Sequence, residues 1–213
     1  MARSKTVYFC SACGHESSKW MGQCPACKQW NTFVEEKVAP TSRKGGAKPG
    51  RTSASPMNIS EVTVQEEKRI STGIHELDRV LGGGIVKGSL SLVGGDPGIG
   101  KSTLLLQVCR NMANAGKKVL YVSGEESMHQ IKLRAERIGT FEREMLLFCE
   151  TSLNEISNAI LKSSPEFVVI DSIQTMYNEE MTSAAGSVSQ VREVTGQMMR
   201  LAKEHNIAVF IVG

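Results

Sequence analysis

The sequence has 213 residues, a length that holds one full domain and a small additional module but not two large lobes. Hydrophobic residues at 40% and charged residues at 22% exclude wholesale disorder and a fibrous repeat, and the lack of a long apolar run excludes a membrane helix and a secretory signal, so we expect a cytoplasmic protein. The formal charge of +3 is uneven, because residues 1–56 carry nine Lys or Arg and three Glu, which indicates either an anionic partner such as nucleic acid or a solvated tail.

Four cysteines form the first pattern in the chain. Cys10 and Cys13 make one C-x-x-C pair, and Cys24 and Cys27 make a second pair after ten intervening residues. In a chain without a secretion signal, this spacing favours four thiolate ligands to a tetrahedral Zn²⁺ ion over disulfides. Four protein ligands close the metal shell, so we expect a structural zinc that stabilises a head, residues 1–34, too small to fold unaided.

The aromatic residues of this head have two interpretations. Trp20, Trp30 and Phe33 are expected to pack around the zinc site, and the alternative is that they stack on bases or contact a partner. Two further cysteines, Cys109 and Cys149, stand alone inside apolar stretches and are expected to be small core residues.

A polar, basic stretch follows the head. Residues 35–57 are rich in Gly, Pro, Ser, Thr and basic residues and have few apolar ones, which predicts a flexible linker.

Residues 58–213 alternate short apolar segments with amphipathic ones. The strand patterns cover residues 89–93, 119–122, 145–149, 167–170 and 207–212. The helix patterns cover residues 101–115 and 128–138, a segment that starts at a capping box of Ser152 and Glu155, and residues 188–205. This alternation of nearly all-apolar strands with helices predicts an α/β core in which a parallel sheet is covered on both faces.

A glycine-rich loop joins the first of these strands to the first helix. It fits the phosphate-loop pattern G-x-x-x-x-G-K-[ST], and its place after a strand and before a helix is the one that the pattern requires. We expect its main-chain N–H groups to surround the phosphates of ATP, its lysine to reach the terminal phosphates and its serine to bind Mg²⁺. The predicted ATP-binding residues are Gly95, Asp96, Pro97, Gly98, Ile99, Gly100, Lys101, Ser102 and Thr103.

Acidic residues follow two other strand patterns. Asp171 ends the apolar run 167–170 and is expected to hold Mg²⁺, through a water molecule. Glu125 and Glu126 follow the run 119–122, at the sheet edge where ligands bind in open α/β folds. One of the two is expected to act as the catalytic base, and Glu125 is favoured because it lies nearer the strand; the alternative is that both cap the next helix.

Three further stretches carry a family resemblance. Residues 71–85, STGIHELDRVLGGGI, resemble the segment that precedes the phosphate loop in RecA-like ATPases. Residues 121–127, YVSGEES, and 186–193, GSVSQVRE, together with the four-cysteine head, resemble the RadA (Sms) family of bacterial DNA-repair ATPases. The resemblance covers nearly the entire sequence.

The resemblance implies a RecA-like ATPase core, with residues 95–103 as the ATP loop, Glu125 as the catalytic glutamate and Asp171 as the Mg²⁺-associated carboxylate. It further implies a homo-hexamer that binds single-stranded and branched DNA, acts with the recombinase RecA and drives branch migration in homologous recombination and DNA repair. The family carries a Lys-Asn-Arg-Phe-Gly motif and a Lon-protease-like domain further downstream. We therefore expect residues 58–213 to be a C-terminally truncated core.

Two other functions remain open from the sequence. A KaiC-like signalling ATPase shares the Thr72-Gly-Ile and Leu81-Gly-Gly-Gly-Ile stretches, although it does not explain the cysteines. A nucleotide-dependent scaffold, with the zinc head docking a protein partner, is the non-enzymatic alternative. The long connection of residues 172–186 likewise has two interpretations, a DNA-facing loop or a merely mobile one.

Overall fold

The computed structural model of the chain describes residues 5–38, 58–61 and 69–213. Most of the predicted linker, residues 35–57, lies outside these ranges. The division of the chain at residues 34 and 57 therefore stays a prediction. None of the helices in the described ranges is long and apolar enough to cross a membrane.

The head is a small antiparallel sheet. Its strands are β1 (Lys5–Cys10), β2 (Glu16–Ser17) and β3 (Phe33–Val38), in the order β2-β1-β3. Tyr8 of β1 pairs with Ser17 of β2 on one side and with Glu35 of β3 on the other. The buried centre is a cluster of Cys10, Cys24 and Phe33, which is little apolar material for independent folding.

Residues 69–213 form the α/β unit that the alternating pattern predicts. The strands are β4 (Leu90–Val93), β5 (Val119–Ser123), β6 (Leu146–Cys149), β7 (Phe167–Asp171) and β8 (Ala208–Val212). The helices are α1 (His75–Val80), α2 (Lys101–Asn114), α3 (Met128–Ile138), α4 (Leu153–Ser163) and α5 (Val188–His205). Short 3₁₀ turns cover Ile59–Glu61 and Ile173–Thr175.

The five strands are parallel and lie in the order β4-β8-β7-β5-β6. Because all strands run in the same direction, the segments that follow β4, β5 and β7 emerge at one edge of the sheet. The pairing of β5 with β7 places Ser123 opposite Asp171 at that edge. Acidic residues that are far apart in the sequence are thereby brought to the ends of neighbouring strands.

Both faces of the sheet are covered, as predicted. On one face α2 and α3 contribute buried side chains such as Leu105 and Ile131. On the other face α4 and α5 contribute buried side chains such as Ile156 and Met198. Each fully buried aliphatic side chain of this size contributes roughly 1.5–3 kcal/mol of transfer free energy. The α/β unit therefore has a large apolar core of its own, unlike the head.

The segment ahead of the phosphate loop is fastened by Asp78 of α1. The Ser71 hydroxyl donates to Asp78 Oδ2 at 2.6 Å, and the Thr72 N–H donates to Oδ1 at 2.8 Å. Burial acts to raise the pKa of Asp78, but these hydrogen bonds outweigh burial and the pKa is lowered. Asn111 of α2 donates to the Thr72 carbonyl at 3.1 Å, so the segment braces the helix that follows the phosphate loop.

The predicted capping box of α4 is wrong. The Ser152 side chain accepts no hydrogen bond from the helix, and among the described residues its buried hydroxyl has no partner. Glu150 instead accepts from the Ser152 N–H at 3.0 Å. The capping box lies at α3, where Ser127 and Gln130 exchange hydrogen bonds, because a local pattern does not show which of several acceptors the fold brings to an N–H group.

Candidate functional site

The glycine-rich loop lies between β4 and α2, as the sequence indicates. Gly95, Gly98 and Gly100 have φ angles of +152°, +81° and +98°, values that side chains with a Cβ atom rarely adopt. Gly100 is the N-cap of α2 and offers no side chain to its first turn. Residues 94–100 are exposed, so the curled main chain and the start of α2 face solvent. This is the geometry of a main-chain anion site at a helix N-terminus.

Lys101 lies directly over this loop. Its Nζ atom donates to the Gly95 carbonyl at 2.6 Å and to the Asp96 carbonyl at 3.0 Å. The ammonium group is therefore held beside the main chain that curls around the loop. Ser102 and Thr103 follow it in the first turn of α2.

Asp171 is buried at the end of β7, where only 7% of its surface is exposed. Its Oδ2 atom accepts a 2.5 Å hydrogen bond from the hydroxyl of Tyr121 on β5. Burial and the Asp171 charge both raise the pKa of Tyr121, so this hydroxyl stays protonated and acts as a donor. Sequence reasoning missed Tyr121, although an aromatic residue with a hydroxyl in a buried strand requires a hydrogen-bond partner.

Glu125 contacts Ser172, the residue that follows Asp171 in the chain. The Ser172 hydroxyl donates to Glu125 Oε1, and the Gly124 N–H donates to the Asp171 carbonyl at 2.9 Å. A Cβ atom at Gly124 would lie 2.1 Å from Thr175 Oγ1, so glycine is required for the two loops to come this close. The loop after β5 and the loop after β7 therefore form one unit.

Glu126 has a different environment. Its carboxylate forms an ion pair with Arg134 of α3. Its main-chain N–H donates to Ser123 Oγ at 3.0 Å. A cleft of about 210 Å³ at the ends of β5 and β6 is lined by both glutamates and by Glu150. Of the two candidate bases, only Glu125 contacts the residue beside Asp171, which favours Glu125.

The four cysteine sulfurs of the head converge. They all lie within 4.8 Å of one another, with Cys10 and Cys27 at 3.6 Å and Cys13 and Cys24 also at 3.6 Å. A tetrahedral zinc ion with Zn–S bonds of about 2.3 Å requires sulfurs about 3.8 Å apart, so the cluster fits Zn²⁺. The structure thus shows the four-cysteine zinc-ribbon site that the spacing predicts.

Thr32 adds a polar contact to this cluster. Its hydroxyl lies 3.1 Å from Cys10 Sγ, and this hydrogen bond lowers the pKa of Cys10 to about 6 even though burial opposes the shift. The pKa values of Cys13 and Cys27 are raised instead, because main-chain hydrogen bonds that lower them are outweighed by burial and by contacts with Cys10 and Cys24. Among these sulfurs, the Thr32 contact favours the thiolate at Cys10, the form in which cysteine binds zinc. Thr32 is therefore a supporting residue of the metal site that sequence reasoning missed.

Comparisons with known proteins agree with both parts of this arrangement. Residues 54–213 match the family model described as "AAA domain", and residues 8–35 match the rubredoxin metal binding domain. The chain belongs to the AAA domain family. The match covers three of the elements that form the candidate site, namely the phosphate loop and the ends of β5 and β7.

Curated relatives extend the similarity to the whole chain. The chain is 51% identical to "DNA repair protein RadA" of Bacillus subtilis (strain 168), and 100% of the chain and 47% of the relative are covered. Proteins of the same name from Listeria monocytogenes and Streptococcus pyogenes are 54% and 49% identical, with the same coverage. The resemblance to the RadA family is confirmed. The chain spans about half the length of these relatives.

The aromatic residues of the head only partly follow the prediction. Phe33 is buried, with 7% of its surface exposed, and packs in the cysteine cluster. Trp20 and Trp30 are 55% and 69% exposed, so the expectation that they pack around the zinc site is wrong. The core of the head is too small to enclose three large aromatic side chains, and it encloses Phe33, the one that lies in a strand.

The two lone cysteines of the AAA domain also differ from each other. Cys109 is fully buried in the core, as expected, and burial raises the pKa of its thiol. Cys149 is half-buried, and its Sγ atom lies 3.3 Å from the Glu126 carbonyl at the cleft. It ends the edge strand β6, which has a neighbouring strand on one side only.

The long connection of residues 172–186 is anchored by α5. Gln190 is fully buried, its Oε1 atom accepts from the Asn178 N–H at 2.8 Å, and its Nε2 atom donates to two carbonyls of the connection. Gln190 thus ties residues 178 and 183 of the connection to α5, and both interpretations, a DNA-facing loop and a merely mobile one, stay predictions. Sequence reasoning missed Gln190, which shares a helical stripe with the buried Val194 and Met198.

Replacing Tyr121 with phenylalanine is expected to lower the free energy of unfolding by about 2 kcal/mol, because the substitution removes a buried donor from a carboxylate. Chemical denaturation of the variant measures this change. Tyr177→Phe is the matched control, since Tyr177 is held through main-chain hydrogen bonds with Leu153 and Thr151. Equal losses in the two variants would show that the Tyr121 hydroxyl adds nothing specific.

Proposed function

We propose that this chain binds ATP with Mg²⁺ and hydrolyses it as the ATPase core of a DNA-repair protein. The observation that carries the proposal is the meeting of three segments at one sheet edge. The glycine loop with Lys101 follows β4, Glu125 follows β5, and Asp171 ends β7. Membership of the AAA domain family and the relatives named "DNA repair protein RadA" support the proposal.

The loop residues fit a polyphosphate. The main chain of residues 95–100 is exposed, and a Cβ atom added at Gly98 or Gly100 would meet no atom within 4 Å, so the loop has open space above it. N–H groups of the curled loop and of the first turn of α2 would hold the phosphate oxygens. The Lys101 ammonium would exchange its two carbonyl acceptors for the more strongly attracting phosphate charge.

Two oxygen-bearing side chains would hold Mg²⁺. Ser102 is the second residue of α2, and Asp171 supplies a carboxylate at the end of β7, on the same edge of the sheet. Hydroxyl, carboxylate and water oxygens are the ligands that this ion prefers. When bound, the ion neutralises phosphate charge, and Tyr121 keeps the Asp171 carboxylate in one orientation through its hydrogen bond.

Glu125 would orient and deprotonate the attacking water. It is exposed, unlike Asp171, and its Oε1 atom is held by Ser172 while the carboxylate remains open to solvent. A positioned carboxylate base contributes typically 10²–10⁴-fold to such reactions. Glu126 is unsuited to this role because Arg134 occupies its carboxylate.

The wider biological role is inferred from the relatives. We propose that the full protein is a homo-hexamer that translocates on single-stranded DNA and drives branch migration together with the recombinase RecA. We also propose the division into a zinc head (1–34), a basic linker (35–57) and an ATPase core (58–213). The basic charge of residues 1–56 supports an anionic partner such as DNA.

Glu125→Gln is expected to lower ATP hydrolysis by about 100-fold or more while leaving nucleotide affinity nearly unchanged, because the amide cannot accept the proton of the attacking water. Phosphate release under single-turnover conditions, with and without single-stranded DNA, measures the rate. Calorimetric titration with a non-hydrolysable ATP analogue measures the affinity.

Glu126→Gln is the matched control, since it changes a neighbouring carboxylate that pairs with Arg134. It is expected to stay within a few-fold of the unsubstituted chain. Full hydrolysis by Glu125→Gln, or a larger loss in Glu126→Gln, would reverse the assignment of the base.

A further inference from the structure

The two exposed tryptophans of the head lie on the same knuckle. A Cβ atom placed on Gly22 would lie 3.7 Å from the Trp30 ring and 3.9 Å from the Trp20 ring. Both indoles therefore flank one glycine and leave more than half of their surfaces in solvent. Exposing two residues of this size is costly in water, so the pair requires an explanation.

Several hydrogen bonds hold the main chain around the two tryptophans. The Asn31 N–H donates to the Gly22 carbonyl at 2.8 Å, and Gln23 forms an antiparallel bridge with Trp30. The Cys24 N–H donates to the Gln29 carbonyl at 2.9 Å, which ties this turn to a zinc-site cysteine. A bound zinc would therefore hold the two rings in place before any ligand arrives, which lowers the entropy cost of binding.

The residues near the pair in the sequence are mostly polar and include no acid. From residue 17 to residue 34 the sequence has no Asp or Glu, while Lys19 and Lys28 are both exposed. Gln23, Gln29 and Asn31 are exposed as well and offer amide groups. Ammonium and amide groups beside exposed rings are donors for phosphate oxygens and base edges.

The net charge of residues 1–56 also favours an anionic ligand. Four thiolates and one Zn²⁺ carry a net charge of −2, which leaves residues 1–56 at about +4 when the metal is bound. Residues 1–34 keep about +1 of this charge (four Lys or Arg, one Glu and −2 from the zinc site), and residues 35–56 supply the other +3. Aromatic rings next to a basic segment are a combination that binds single-stranded nucleic acid without strict sequence preference, because every base has a ring face.

We propose that Trp20 and Trp30 form a stacking surface for the bases of single-stranded nucleic acid, with Lys19 and Lys28 near the phosphates. The surface belongs to the zinc head and requires no ATP. It is thus separate from the nucleotide site and does not rest on the proposed ATPase activity.

The test uses the intrinsic fluorescence of the zinc-loaded chain. Trp20 and Trp30 are the two tryptophans of the sequence, so emission excited at the red edge of the indole band reports on this surface alone. Titration with unlabelled oligothymidylate is expected to quench the emission, and the apparent affinity is expected to fall as salt rises. Lys101→Ala is expected to leave the quenching intact, which separates this proposal from the ATPase.

Variants identify the rings. Trp20→Ala and Trp30→Ala are each expected to weaken oligothymidylate binding, followed by anisotropy of a labelled strand, by about tenfold, whereas Trp30→Phe keeps most of the affinity. Val34→Ala, which trims another exposed apolar residue of the head, is the control and is expected to bind normally. One zinc per chain in each variant shows that the head is folded.

Three results would overturn the proposal. The first is oligothymidylate binding without a change in tryptophan emission, and the second is unchanged affinity in the double alanine variant. The third is a zinc-loaded chain that does not bind oligothymidylate and whose tryptophan emission changes only when a partner protein is added. That result would make the surface a protein-docking site.

Discussion

Lys101→Ala is expected to abolish detectable binding of ATP with Mg²⁺, a loss of at least about 100-fold in affinity, and to abolish hydrolysis with it. The Nζ atom is the cationic group that contacts the main chain of the glycine loop, through the Gly95 and Asp96 carbonyls. Without it, only main-chain N–H groups and the dipole of α2 would remain to offset the phosphate charge. Calorimetric titration and phosphate release measure the two losses.

The fold is expected to survive this substitution. The hydrogen bonds of Lys101 join exposed atoms of one loop, so their removal is expected to change the melting temperature by only a few degrees. Lys132→Ala is the matched control, because Lys132 is an exposed residue of α3 paired only with Glu136 among the salt bridges of the described residues. Unchanged ATP binding by a folded Lys101→Ala variant would remove the basis for the nucleotide site.

Cys24→Ser is expected to release the zinc and unfold the head while the AAA domain stays folded. Cys24 is fully buried in the cysteine cluster, and the head has almost no other core. Zinc-binding free energies of small modules are on the order of 10 kcal/mol, so losing one of four ligands weakens binding by at least about 100-fold. The two core layers around the parallel sheet are built from residues of the AAA domain, from Ile70 onward, and contain none of these cysteines.

Metal analysis and two-dimensional NMR of the labelled chain measure this outcome. The amide signals of the head are expected to collapse towards unfolded positions, and those of the sheet are expected to stay. Cys149→Ser is the control, since Cys149 is a half-buried cysteine outside the head, and it is expected to keep one zinc per chain. Full zinc content in Cys24→Ser would show that Cys24 is not a ligand.

Local patterns in the sequence were enough for several features. The spacing of Cys10, Cys13, Cys24 and Cys27 predicted a cluster that the structure forms within 4.8 Å. The prediction of helix 128–138 agrees with α3 residue for residue, and the glycine loop lies between a strand and a helix as expected. These features depend on residues close together in the sequence, whose spacing and periodicity are directly visible.

Other features depended on which elements lie side by side. Tyr121 and Asp171 are 50 positions apart and meet because β5 pairs with β7, and the Ser172 contact with Glu125 follows from the same pairing. Strand order follows from how helices pack across the sheet, and no local pattern encodes it. The failure at Ser152 is a local one, since Glu150, two residues earlier, accepts from the Ser152 N–H in place of the Glu155 side chain that the capping-box pattern assigned.

The sequence by itself determined the composition of the sites: four thiols at metal spacing, a glycine loop ending in Lys101, and acids placed after apolar strands. Only the tertiary structure decided which of those groups meet, that Glu126 pairs with Arg134 while Glu125 contacts Ser172, and that Trp20 and Trp30 are exposed rather than buried. The physical reason is that residue type and spacing are properties of neighbours in the chain, whereas contact and exposure depend on how distant segments share limited core volume.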